Sequence, residues 1–90
     1  MARREITAGK VDGDDRAVRW LTPVEHLPSG VVVRAPGTLG PLLDYGVLTE
    51  IVVDDAGIVT RLAEPHSWTE HGPRIRDAVR IAADLDGWEV

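Results

Sequence analysis

The sequence predicts a small α+β domain, a two-layer sandwich in which a C-terminal helix covers an antiparallel sheet. Two strand-like runs, Val47 to Val53 and Ile58 to Ala63, flank the turn cluster Asp54-Asp55-Ala56-Gly57 and read as a β-hairpin over about 47–63. Ile75, Ala78, Val79, Ala82 and Leu85 then recur at helical spacing over about 72–86. At 90 residues and 43% apolar composition, the chain can form one small domain with a modest core.

The elements follow in order. Residues 1–15, "MARREITAGKVDGDD", are polar and without period, and are expected to be a mobile tail ahead of one domain over 16–90. "AVRWL" (17–21) reads as a strand with Val18 and Trp20 on one face and Arg19 on the other. "TPVEHLPSG" is mostly loop, and the β-branched "VVVRA" (31–35) reads as a second strand. "TLGPLLDYG" (38–46) predicts a short helix, with Thr38 at its cap, Pro41 in its first turn and Gly46 beyond its end. In the hairpin, Ile51 and Val53 would share one face, with Glu50 and Val52 on the other. The last helix has Pro73 for its first turn and Gly87 for its end. "WEV" would add an edge segment or return Trp88 to the sheet. The alternative architecture is a small barrel-like sheet built from the first sixty residues.

Composition narrows the chemistry. The formal charge is −5, from 15 acidic and 10 basic residues, and the basic ones are scattered. This weighs against nucleic acid, whose phosphates call for clustered Lys and Arg. With no cysteine, the chain offers no disulfide, thiolate nucleophile or Cys-ligated cluster. No apolar run reaches membrane length, and the start has no apolar signal core, so a cytoplasmic protein is expected. There is no Phe, so Trp20, Trp68, Trp88 and Tyr45 carry all the aromatic bulk as core or interface anchors.

The stretch "AEPHSWTEHGPRIRDAV" gathers the candidate site residues. His66 and His71, with Glu70, are the metal candidates, but zinc takes at least three protein ligands. Five residues advance about 500° around a helix, so His66 and His71 would not share a helical face. His26 would have to join them through tertiary folding. Ser67 lacks a nucleophile motif and instead opens the S-x-x-E pattern of a capping box with Glu70. Gly72-Pro73 argues against a helix running on from Ser67. Asp54-Asp55 is ordinary turn chemistry, Asp14-Asp15 lies in the expected tail, and "GTLGP" lacks the pattern of a phosphate loop. Trp68, at the junction of hairpin and helix, either plugs the core or greets a protein partner.

The segment "LGPLLDYGVLTEIVVDDAGIVTRLAEPHSW…VRIAADL" resembles the C-terminal domain of NifU/Nfu iron–sulfur scaffold proteins. Leu42, Leu43 and Gly46 match its helix and turn, and Ile51, Val53, Gly57 and Val59 match its hairpin rhythm. Asp44-Tyr45-Gly46-Val47-Leu48 is similar to the entry of the MIP18-type assembly domain. The scaffold family's cysteines would fall where this chain has Glu64-Pro65-His66-Ser67-Trp68. The resemblance therefore implies a cysteine-free relative that keeps the fold and a docking role but carries no cluster.

The sequence reading is a non-enzymatic protein-interaction or accessory domain without cofactor. It would assist iron–sulfur or metalloenzyme assembly and meet its partner through Trp68, Tyr45 and Trp88. On this reading Trp68→Ala weakens docking without unfolding the domain. The alternative is a metal-binding or hydrolytic domain using His66, His71 and Glu70.

Overall fold

The computed structural model describes residues 6–90. Among them, the elements run β1 (Thr7–Val11), β2 (Asp14–Leu21), β3 (Gly30–Val31), α1 (Leu39–Asp44), β4 (Leu48–Val53), β5 (Gly57–Leu62) and α2 (Trp68–Ala82). The strands form one sheet in the order β1-β2-β5-β4-β3, with every neighbouring pair antiparallel. Both helices pack on one face, α1 against β4 and α2 against β2, and they also touch each other. This is the expected α+β sandwich rather than the barrel-like alternative.

The hairpin holds as read. Ile51, Val53, Ile58 and Leu62 are buried, while Glu50 is exposed. Pairing runs Leu48 to Leu62 and then Glu50 to Arg61, so Thr49 is an extra residue. The bulge lets Leu48 and Ile51, three residues apart, both enter the core, which strict alternation would forbid. Gly57 is required at the start of β5: a Cβ there would lie 2.1 Å from the Trp20 carbonyl oxygen. The buried Trp20 indole N–H donates to Thr60 Oγ1 at 2.8 Å, so neither polar group is stranded in the core.

Four expectations are corrected. Residues 7–15 are not a tail; they form β1 and the start of β2, while residues 1–5 lie outside the described residues. The turn between the strands is Asp12-Gly13, with Gly13 at φ +78°. Asp-Gly is a strong hairpin signal. It was masked because β1 is an edge strand with no buried residue and so shows no apolar alternation.

The strand expected over 31–35 shrinks to Gly30–Val31. Val32 still donates to Ile51 O, but Val33 donates to Glu89 O, and Arg34 bridges Glu89 antiparallel. The β-branched run thus leaves β4 and pairs with the C-terminal segment.

The final helix spans Trp68–Ala82 rather than 72–86, passing through Gly72 and Pro73. Ser67 starts it: its Oγ accepts the Glu70 N–H at 3.2 Å. Pro73 removes one helical N–H, and burial of Ile75, Ala78, Val79 and Ala82 holds the helix together across that gap. At the far end the chain tightens into i→i+3 turns, and side chains take two of the last carbonyls. Trp88 Nε1 donates to Ala82 O at 2.9 Å and His26 Nε2 to Ala83 O at 2.7 Å. Leu85 consequently falls outside the helix and is 41% exposed, not part of the stripe.

Trp88 is the fourth. Only 9% exposed, it belongs to the core and is not available as a partner anchor. Thr38 occupies the cap position of α1, but its side chain makes no capping hydrogen bond.

Candidate functional site

Two regions hold the residues singled out from the sequence. The first is the face where α1 and α2 meet. Leu39 and Leu42 turn inward from α1, and Ile75, Ala78, Val79 and Ala82 do so from α2. Between the helices lies an open groove of about 390 Å³ lined by Thr38, Leu42, Arg74, Asp77, Ala78 and Ile81. Its walls are mostly apolar, with the Arg74 and Asp77 side chains at its margin. Asp77 pairs with Arg80 at 3.1 Å, which fixes one carboxylate oxygen. Tyr45, three residues beyond Leu42 and therefore beside it on the α1 surface, is 86% exposed. Ile81 is 49% exposed.

Ile81 was missed from sequence although the signal is there. It is a large apolar residue off the stripe of Ile75, Ala78, Val79 and Ala82, at a position the helix leaves to solvent.

The second region is the loop from β5 to α2. Arg16, Val18 and Trp20 alternate onto the same face of β2, and Arg16 reaches the end of the sheet. Its Nε donates to Leu62 O at 3.2 Å, and its Nη2 donates to Ala63 O at 2.7 Å and to His66 O. One guanidinium fork therefore ties the last carbonyl of β5 to two carbonyls of this loop, whose Glu64–Pro65 bond is cis. His66 N–H donates back to Ala63 O at 3.0 Å. No spacing in the sequence announces this role for Arg16, since it joins residues about fifty positions apart.

Trp68 is half-buried. Its ring meets Trp20 edge to face at 6.1 Å, and its Nε1 donates to Arg16 O at 3.1 Å. It therefore seals the core edge, while part of its ring still lines a 240 Å³ hollow beside the β1–β2 hairpin, with Lys10 and Asp14 among the neighbours.

His66 and His71 come together despite their unpromising spacing, because His66 precedes the helix and only His71 lies in it. Their rings stand edge to face with centroids 4.7 Å apart. His26 sits at the opposite end of α2, roughly 20 Å away along a 15-residue helix. Among the described residues, no group of three His, Cys, Asp or Glu is arranged to hold a metal ion. Glu70 is exposed in the first turn of α2, and Ser67 is engaged as its cap.

Electrostatic perturbation is found instead at the hairpin turn. Burial of Asp54 opposes its charge. Against this, Arg19 donates to Oδ2 at 2.7 Å, and the backbone N–H groups of Ala56 and Gly57 donate to Oδ1, each at 3.0 Å. The hydrogen bonds and the Arg19 charge prevail and hold the carboxyl below its ordinary value. The effect is that of an Asx-type turn and a cross-strand ion pair, which fix the hairpin.

Comparison with protein families, curated proteins and solved structures finds no match to this chain. No helix among the described residues is long and apolar enough to cross a membrane.

Proposed function

We propose that the chain is a non-enzymatic protein-interaction domain that docks through the face formed by α1 and α2. The observation that carries this reading is the apolar groove between the helices, with Ile81, 49% exposed, on its wall, together with Tyr45, 86% exposed at the C-terminal end of α1. Tyrosine offers a large, stiff contact surface and is enriched at interface hot spots. The groove accepts an apolar side chain from the partner. Arg74 and Asp77 at its margin suit polar groups of either sign and set the register.

The NifU-type resemblance directs the search for that partner to iron–sulfur or other metalloenzyme assembly. In that setting the chain would act as an accessory, because it has no cysteine to hold a cluster.

The test compares the wild-type chain with the Tyr45→Ala/Ile81→Ser double variant as bait in extract of the source cells. The reading expects a protein retained by the wild type to be lost from the variant while the urea midpoint is unchanged. A variant that keeps both the fold and every bound protein contradicts it.

A further inference from the structure

We propose that His66 and His71 form a two-imidazole seat for a divalent late transition ion, with Cu(II) preferred over Ni(II) and Zn(II). The inference is independent of the docking face. It starts from the contact itself: ring centroids 4.7 Å apart and planes at 82°. A metal–nitrogen bond is about 2.0–2.1 Å, and the imidazole centre lies about 1.1 Å beyond the nitrogen, so two imidazoles on one ion at square-planar or tetrahedral angles have centres roughly 4.5–5 Å apart. The observed centroid separation falls inside that range.

The main chain is also fixed at both residues. His66 is held through its N–H on Ala63 O and its carbonyl on Arg16. His71 donates its N–H to Ser67 O at 3.0 Å as part of the first helical turn. Neither histidine is fully buried. The sequence from Leu62 to Pro73 has Glu64 and Glu70 but no Lys or Arg, and both glutamates are exposed. Neither glutamate is placed to join the pair as a ligand, and the Arg16 guanidinium holds the His66 carbonyl, so the two imidazoles carry the site. Among the described residues no third protein ligand joins them, so water completes the coordination. Imidazole suits Cu, Ni and Zn, and for a given site the divalent affinity order peaks at Cu(II).

The experiment uses the full chain without a histidine tag, titrated calorimetrically with copper, nickel and zinc salts in a non-chelating buffer. The expected result is one Cu(II) per chain, bound more tightly than Ni(II) or Zn(II). His66→Ala and His71→Ala should each weaken it by on the order of tenfold or more, a loss at least as large as that from removing an outer-shell partner. His26→Ala and Glu70→Gln should leave it unchanged. Copper affinity that survives the loss of both His66 and His71 overturns the proposal, as does a dependence on His26. A second readout avoids any folding defect in the variants. In the wild-type chain, substoichiometric Cu(II) should broaden the imidazole NMR signals of His66 and His71 before those of His26, and the reverse order contradicts the site.

Discussion

Arg16, near the start of β2, donates through Nη2 to the carbonyl of His66, fifty positions further along the chain. The same guanidinium also takes the carbonyls of Leu62 and Ala63. A flat, forked donor suits three carbonyls set around it, whereas a lysine ammonium on a flexible stem does not. Arg16→Met is expected to cost about 1.5–3 kcal/mol, as for loss of a charged hydrogen-bond donor. Arg16→Lys should recover little of it. Urea unfolding followed by tryptophan fluorescence reads both values, and full rescue by lysine would show that charge alone matters there.

Trp68 closes the core edge over Trp20. Trp68→Ala is therefore expected to destabilise the domain by about 2 kcal/mol, roughly half the cost of emptying a fully buried tryptophan site. Trp68→Phe keeps a ring against Trp20 but leaves the Arg16 carbonyl without its donor, at about 1 kcal/mol. A Trp68→Ala protein with the wild-type unfolding midpoint would return Trp68 to the role of a surface anchor.

The hydrogen bond from Trp20 to Thr60 lies wholly inside the core. Thr60→Val keeps the shape and strands the indole N–H, at an expected cost of about 1–3 kcal/mol. Adding Trp20→Phe removes the stranded donor, so the double variant should lose less than the sum of the single losses. Strict additivity in the mutant cycle would argue that the two groups are not coupled.

Asp54 makes the hairpin sensitive to acid. Its folded value lies below the unfolded one of about 3.8. The stability it contributes is therefore present in full above the unfolded value and is lost as pH falls through the folded one. Asp54→Asn should lower the urea midpoint at neutral pH, and the gap to wild type should close in the acid range below about 4. A gap that persists at low pH would mean that the carboxylate charge is not what stabilises the turn.

Much of the fold was legible because its strongest signals are local. The Asp-Asp-Ala-Gly turn between β-branched runs and the stripe from Ile75 to Ala82 are set by near neighbours. Errors arose where distant residues decide the outcome. β1 has no apolar pattern, since edge position rather than burial defines it. "VVVRA" changes partners midway because Glu89 returns beside Arg34. Pro73 lies inside a helix because the Ser67 cap and the buried face outweigh the missing N–H.

The site was less legible still. The approach of His66 to His71 depends on where the helix begins. The groove needs two helices side by side, and Tyr45 alone does not reveal its neighbour. Burial of Trp88 depends on the last helical carbonyl at Ala82, which its N–H satisfies.

The central claim is that the α1–α2 face meets a protein. The most direct measurement is photocrosslinking in living cells, with a benzophenone amino acid placed at Tyr45 in one strain and at Val31, exposed on the opposite face of the sheet, in another. The account predicts a discrete crosslinked species from position 45, absent from position 31 and abolished when Ile81→Ser is added. Equal crosslinking from both faces, or none from position 45 in a folded and expressed chain, would contradict it.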